Sequence, residues 1–210
     1  DTDTIVSILN EIPDNPNIEY TNEIIRILYN SNLFSNVEVK LEENKYSIIV
    51  KEHPNIDKIY FKNNERLKND DLKLLVSELN FTKFNSSSLN LFISELEQIY
   101  ESFGYNNVII DYSEIEYPET NTVDLTFNIN EGKITKINKI IINSNNFIPN
   151  EDIRSIIKSK TKTIRNIFAN NNYKPNVLEN DQYLIDNYFK KNGFLDVNVS
   201  TKIEYLQTNK

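Results

Sequence analysis

The 210-residue chain has no cysteine. Disulfide frameworks, thiolate metal sites and cysteine nucleophiles are therefore excluded, although a thiol-free chain suits either redox compartment. Its three glycines could not build a glycine-rich phosphate loop. The one histidine, His53, directly precedes Pro54 and has no nucleophile or carboxylate motif beside it. A linker or packing role is expected of it, not catalysis. No His-Glu-x-x-His or EF-hand pattern is present. No run of 18 apolar residues occurs, so no transmembrane helix is expected. No signal peptide is visible at Asp1, and the chain opens in a helix-like segment, so it is expected to be an interior piece of a longer protein.

Basic charge is also scarce. Lys and Arg total 23 against 31 Asp and Glu, a formal net charge of −8. A nucleic-acid-binding domain is normally basic, so no nucleic-acid partner is expected. Broad adhesion to anionic lipid is disfavoured by the same sign, and solubility is the simpler reading of the acidity. Apolar residues make up 39% of the chain, enough for small packed cores.

The chain repeats itself. Tyr100, Phe103, Gly104, Tyr105 and Val108 form a step that recurs as Tyr188, Phe189, Gly193, Phe194 and Val197. Each copy ends an apolar-periodic helix, passes a glycine with an aromatic beside it, and enters a strand. A weaker copy runs through Leu28, Tyr29, Asn32, Leu33, Phe34 and Val37. There Asn32 or a neighbour replaces the glycine, as asparagine tolerates the left-handed conformation next best. Upstream, Ile56, Ile59 and Asn64 correspond to Ile137, Ile140 and Asn145. Ile59 and Ile140 are 81 residues apart, and Gly104 and Gly193 are 89 apart. Units of that length can each hold a core, which describes beads on a string and not a solenoid.

The middle unit predicts strand, helix, helix, strand, strand. Residues 56–61 are β-rich and end in the turn Asn63–Asn64. Leu72, Leu75, Val76 and Leu79 form one helical stripe; Leu89, Phe92, Ile93, Leu96, Ile99, Tyr100 and Phe103 form another. Asn85–Ser88 offers an N-cap between them, and Gly104 stops the second helix. Val108–Tyr112 alternates, Pro118–Asn121 is a turn, and Val123, Leu125, Phe127 and Ile129 bury one face of a further strand. The third unit predicts a strand at 137–142, a helix at 153–157, a helix through Val177 to Phe189, and a strand at 197–205, without a closing strand. The first unit lacks an opening strand. It predicts a helix with Ile5, Ile8, Leu9 and Ile12 stopped by Pro13, a helix with Ile24, Ile25 and Leu28, and a hairpin of 37–41 with 46–50.

This order resembles the POTRA repeat. Val50, Lys51, Glu52, His53 and Pro54, followed by Ile56, Ile59, Phe61 and Asn64, look like a junction between consecutive repeats of that family. The family typically reads Val-Lys-Glu-Arg-Pro and then Ile-x-x-Ile-x-Phe-x-Gly-Asn, so His53 stands for arginine and Asn63 for glycine. Val123 to Leu125 and Asn130 to Gly132 resemble the close of a repeat. The resemblance implies an α+β fold of tandem POTRA domains, β-α-α-β-β, each a three-stranded sheet covered by two antiparallel helices, with the first and last truncated. Expected boundaries are 1–53, 54–132 and 133–210. Implied too is a non-enzymatic periplasmic scaffold of outer-membrane protein assembly. Its implied partners are unfolded outer-membrane β-barrel proteins and accessory lipoproteins, met by β-augmentation, and its parent protein is embedded through a C-terminal barrel. A repeat array of a two-partner secretion translocator or divisome protein is the alternative, and an enzyme with acidic catalysis a remote one.

In the family the second strand of each repeat is an outer one. Candidate edges are therefore Val197, Asn198, Val199, Ser200 and Thr201, the preferred set, and Val108, Ile109 and Ile110. Lys160, Lys162 and Arg165 are a candidate basic contact loop, although Ile164, Ile167 and Phe168 among them are spaced like a core-facing turn. No catalytic, cofactor or metal residues are expected. Glu114 and Glu116 share one strand face and could imitate a glycosidase pair, but a solvated strand end explains them better. Asp70, Asp71, Glu151 and Asp152 suit the first turns of helices.

Overall fold

The computed structural model describes residues 2–10, 16–42, 45–144, 147–164 and 169–206. Two compact units divide the chain: Asp1–Leu96 with Ile109–Asn130, and Glu97–Val108 with Glu131–Lys210.

The first unit opens with α1 (Thr2–Leu9) and α2 (Ile18–Asn30). Asn17 caps α2, its side-chain oxygen accepting the Tyr20 N–H at 2.8 Å. Ile24 and Leu28 lie one helical turn apart, and both are fully buried with Leu9, Phe34 and Val37. β1 (Phe34–Glu42) and β2 (Lys45–Glu52) pair antiparallel beside them, from Phe34↔Glu52 to Glu42↔Lys45. The observed α1 ends at Leu9; the expected stop at Ile12 and Pro13 lies outside the described residues.

The same unit continues with β3 (Asn55–Lys62), α3 (Asn69–Glu78), α4 (Ser86–Phe103), β4 (Ile109–Tyr117) and β5 (Thr122–Asn130). The sheet order is β3-β5-β4, with β5 parallel to β3 and antiparallel to β4. The last strand in sequence is thus central in space. Val123, Leu125, Phe127 and Ile129 point to one face at period two and are almost wholly buried. The core of this sheet is aromatic. Phe92 of α4 packs 4.9 Å from Phe81 and 5.0 Å from Phe127, and Phe61 stacks on Phe127 at 5.8 Å. Each such ring contributes about 1.5–3 kcal/mol by leaving water. α4 starts where the polar link predicted, with the Ser88 N–H donated to Asn85 Oδ1 at 2.8 Å. Asp71 accepts the Lys68 N–H at 3.0 Å at the start of α3.

With so few glycines, asparagine makes the tight turns. Among the described residues, those with positive φ other than glycine are Asn10, Asn32, Asn63, Asn80 and Asn121. A short polar side chain reduces the cost of that conformation. Asn32, at +57°, stands where the other repeats have glycine, and Asn63, at +62°, where the family motif has it.

The second unit holds the end of α4, α5 (Asn150–Ile156) and α6 (Pro175–Lys191). Ile148, Ile153 and Phe189 form its core, with Ile142, Ile185, Tyr188, Phe194 and Val197 against them. Gly104, at φ +98°, lets the chain turn where an added Cβ would lie 3.1 Å from Ile134 and 3.2 Å from Asn172. Its carbonyl accepts the Thr135 N–H at 2.9 Å. Asp181, almost fully buried on α6, accepts the backbone N–H groups of Lys158 and Ser159 and so pins the end of α5 to α6.

Here the structure corrects the sequence reading. Neither 137–142 nor 197–205 is a β-strand; the nearest feature is an isolated bridge between Lys136 and Asn172. The middle repeat supplies the reason. Its first and second strands never pair with each other; both pair with β5. The third repeat has no counterpart of β5 in this sequence, so both segments lack the ladder that defines a strand. Ile164, expected in a core-facing turn, is 98% exposed. Ile167 and Phe168 lie outside the described residues.

Candidate functional site: the open edge of the second sheet

β3 and β4 are the outer strands of the three-stranded sheet, but they are not equally accessible. The start of β3 is covered. Ile56 donates its N–H to Thr82 O at 2.8 Å, Phe84 donates to Pro54 O at 2.9 Å, and Asn55 bridges Lys83. The turn residue Asn80, at φ +48°, brings that covering segment back after α3. β4 pairs with β5 alone along its whole length, Ile109↔Asn130 to Tyr117↔Thr122. Among the described residues, the only further backbone bond to β4 is the one Tyr117 O accepts from Thr120. The other side of β4 is therefore an unfilled row of N–H and C=O groups, a template for another extended chain.

Side chains divide β4 lengthwise. On the helix-covered face Ile110 and Tyr112 stand across from Ile129 and Phe127, and the Tyr112 ring lies 6.3 Å from Phe127 and 6.4 Å from Phe84. Farther along the same face Glu114 and Glu116 stand across from Leu125 and Val123. Ile109, Ile115 and Tyr117 lie on the other face, each more than two-fifths exposed. On that face Asp111 and Ser113 separate Ile109 from Ile115 and Tyr117, so apolar surface is exposed at both ends of the strand.

A groove of about 420 Å³ opens at the C-terminal end of β4, lined in part by His53, Pro54, Phe84, Tyr112, Glu116 and Tyr117. Glu114 is not among its lining residues, so the two glutamates do not converge there. His53 donates its backbone N–H to Leu33 O at 3.0 Å. Burial, and after it the positive charge of Lys83, pushes its imidazole below the ordinary histidine pKa. Lys83 in turn reaches Glu52 at 3.0 Å.

Of the residues expected at edges, Ile109 and Ile110 open β4, and Val108 immediately precedes it. Val197, Asn198, Val199, Ser200 and Thr201 follow α6 without strand pairing. Lys160 turns back onto the C-terminal end of α5, donating to Ile157 O at 2.7 Å, whereas Lys162 is exposed. Arg165 lies outside the described residues. Sequence reasoning missed Ile115 and Tyr117, although alternation continued to the Pro118 turn would have extended the strand to them. Among the described residues, no cluster of three or more His, Asp or Glu could hold a metal, and no helix is long and apolar enough to cross a membrane.

A small sheet backed by a helix pair, with a glycine–aromatic step after the second helix and a second copy of that step 89 residues on, defines a repeat-built chain. The chain belongs to the POTRA family, described as the surface antigen variable number repeat, whose pattern matches residues 54–132 and again 135–210. It is similar to the outer membrane protein assembly factor BamA of Buchnera aphidicola subsp. Acyrthosiphon pisum, 26% identical over 191 residues, covering 89% of this chain and 31% of that protein. The same-named factor of Neisseria meningitidis serogroup B is 23% identical over 196 residues, covering 90% of this chain and 24% of that protein. The chain thus spans 24–31% of the length of these relatives. Among solved structures, Haemophilus influenzae BamA POTRA3-5 aligns over 92% of this chain and 81% of its own, with 12% identity and a TM-score of 0.46. The N-terminal domain of Omp85 from Thermosynechococcus elongatus aligns over 94% and 83%, with 12% identity and a TM-score of 0.47.

Proposed function

We propose that this chain is a periplasmic, non-enzymatic segment of an outer-membrane protein assembly factor, built from repeats at 1–53, 54–132 and 133–210. It scaffolds accessory lipoproteins and receives unfolded outer-membrane β-barrel proteins as extended strands. Its parent protein sits in the outer membrane through a C-terminal barrel. The observation that carries this reading is the unpaired outer side of β4 in a POTRA repeat. Backbone pairing asks little of side chains, which suits a receiver of many client sequences. The similarity to curated assembly factors supports the cellular setting. β4 is the principal docking edge, with Ile109 and Ile110 at its start; Val108 and residues 197–201 are secondary candidates, and Lys160, Lys162 and Arg165 remain a candidate contact loop.

The test is site-specific photocrosslinking in cells from Asp111 and Ser113 of β4 in the full-length parent protein. Adducts with nascent barrel proteins or lipoproteins are expected from β4 and not from the covered start of β3. Equal yields from both strands, or no periplasmic adduct, would overturn the assignment.

A further inference from the structure

We propose that the open edge of β4 selects basic extended segments, with lysine or arginine at two positions two residues apart and an apolar residue between them. The inference rests on the edge-pairing reading above and specifies its client. β4 carries Asp111, Glu114 and Glu116 and no basic residue. Glu114 and Glu116 stand across from Leu125 and Val123, both fully buried, so the two carboxylates project from the rim of the apolar face of the sheet. Side chains of a strand return to the same face at every second residue. A strand laid beyond β4 therefore places residues i and i+2 beside the two glutamates, whichever way it runs.

A second observation comes from the opposite face. Asp124 of β5 stands between Ile115 of β4 and Lys58 of β3. Its side chain is nine-tenths buried, and among the described residues Oδ1 has no hydrogen-bond partner. The other oxygen lies 3.5 Å from the Tyr117 hydroxyl. Lys58, the register partner of Asp124, sits nearest to Asp57 at 3.4 Å and feels the Asp124 charge as a second carboxylate. Carboxylates thus lie on both faces of the sheet near the C-terminal half of β4, Glu114 and Glu116 on the edge strand itself and Asp124 one strand inward, while Ile115, 60% exposed, offers an apolar contact. Charges on the core-facing side of an edge strand oppose pairing with neutral or acidic strands, including a second copy of this edge. A basic strand turns the same charges into attraction. Two opposite-charge cross-strand pairs amount to roughly 2- to 30-fold in affinity.

Three capped peptides of the length of β4, identical except for Lys, Gln or Glu at the two positions, are titrated onto the full chain. Fluorescence anisotropy reads the affinity and β4 amide shifts read the site. The lysine peptide is expected to bind at least ~10-fold tighter than the glutamate peptide, with the gap narrowing in high salt. The Glu114→Lys/Glu116→Lys variant, altered only at exposed positions, is expected to reverse the order. Equal binding of all three peptides with β4 shifts would overturn the charge selection while leaving the edge in place. No β4 shifts with any peptide would overturn the edge reading, and this inference with it.

Discussion

Tyr100, fully buried on α4, donates its hydroxyl to Glu131 just beyond β5 at 2.9 Å. The bond is charge-assisted and ties the end of the long helix to the segment that leaves the sheet. Tyr100→Phe keeps the ring and removes the donor. It is expected to cost about 1–2 kcal/mol, read as a lower urea midpoint with an unchanged slope.

The two glycine steps should respond unequally. Gly104 and Gly193 both have positive φ, +98° and +91°. A Cβ at Gly104 would press on Ile134 and Asn172, whereas one at Gly193 would meet nothing within 4 Å. Gly193→Ala should cost about 1 kcal/mol from the backbone alone. Gly104→Ala should cost clearly more, and comparing the two melting temperatures checks this.

Phe92 lies within ring contact of Phe61, Phe81 and Phe127. Phe92→Ala is expected to cost about 3–5 kcal/mol, a large share of the stability of so small a core. The loss should be visible as collapsed amide protection in β5.

Burial lowers the His53 pKa in the folded chain, so the unfolded chain takes up this proton at higher pH. Stability from the neutral imidazole is therefore full above the unfolded value of about 6.5 and falls as pH drops through it towards the lower folded value. His53 is only partly buried and the shift is shared with the nearby Lys83 charge, so the effect is small. Urea midpoints taken from pH ~7.5 down to ~5.5 should fall less in His53→Gln than in the parent chain.

The middle repeat was legible because its strands and helices carry clean periodicities and its turns carry Asn, Pro or Gly. Val123, Leu125, Phe127 and Ile129 alternate so strictly that their burial follows from the pattern alone, whereas the burial of Asp124 between them does not. The third repeat was not legible in the same way. Val197 to Tyr205 alternates as well, but a strand also needs a partner, and pairing is non-local. Covering of the β3 edge was hidden for the same reason: nothing in Thr82 or Phe84 announces that Ile56 and Pro54 will be bonded to them. Asp181 reads as one more polar residue on a helix, and only the folded backbone shows what it caps.

Amide hydrogen exchange along β4 tests the central claim most directly. In the free chain the amides of β5 should be protected, and alternate amides of β4, those on its outer side, should exchange quickly. Adding an extended peptide from a barrel protein should slow those β4 amides selectively. If the whole of β4 is already protected in the free chain, or a bound peptide leaves its exchange unchanged, the account is wrong.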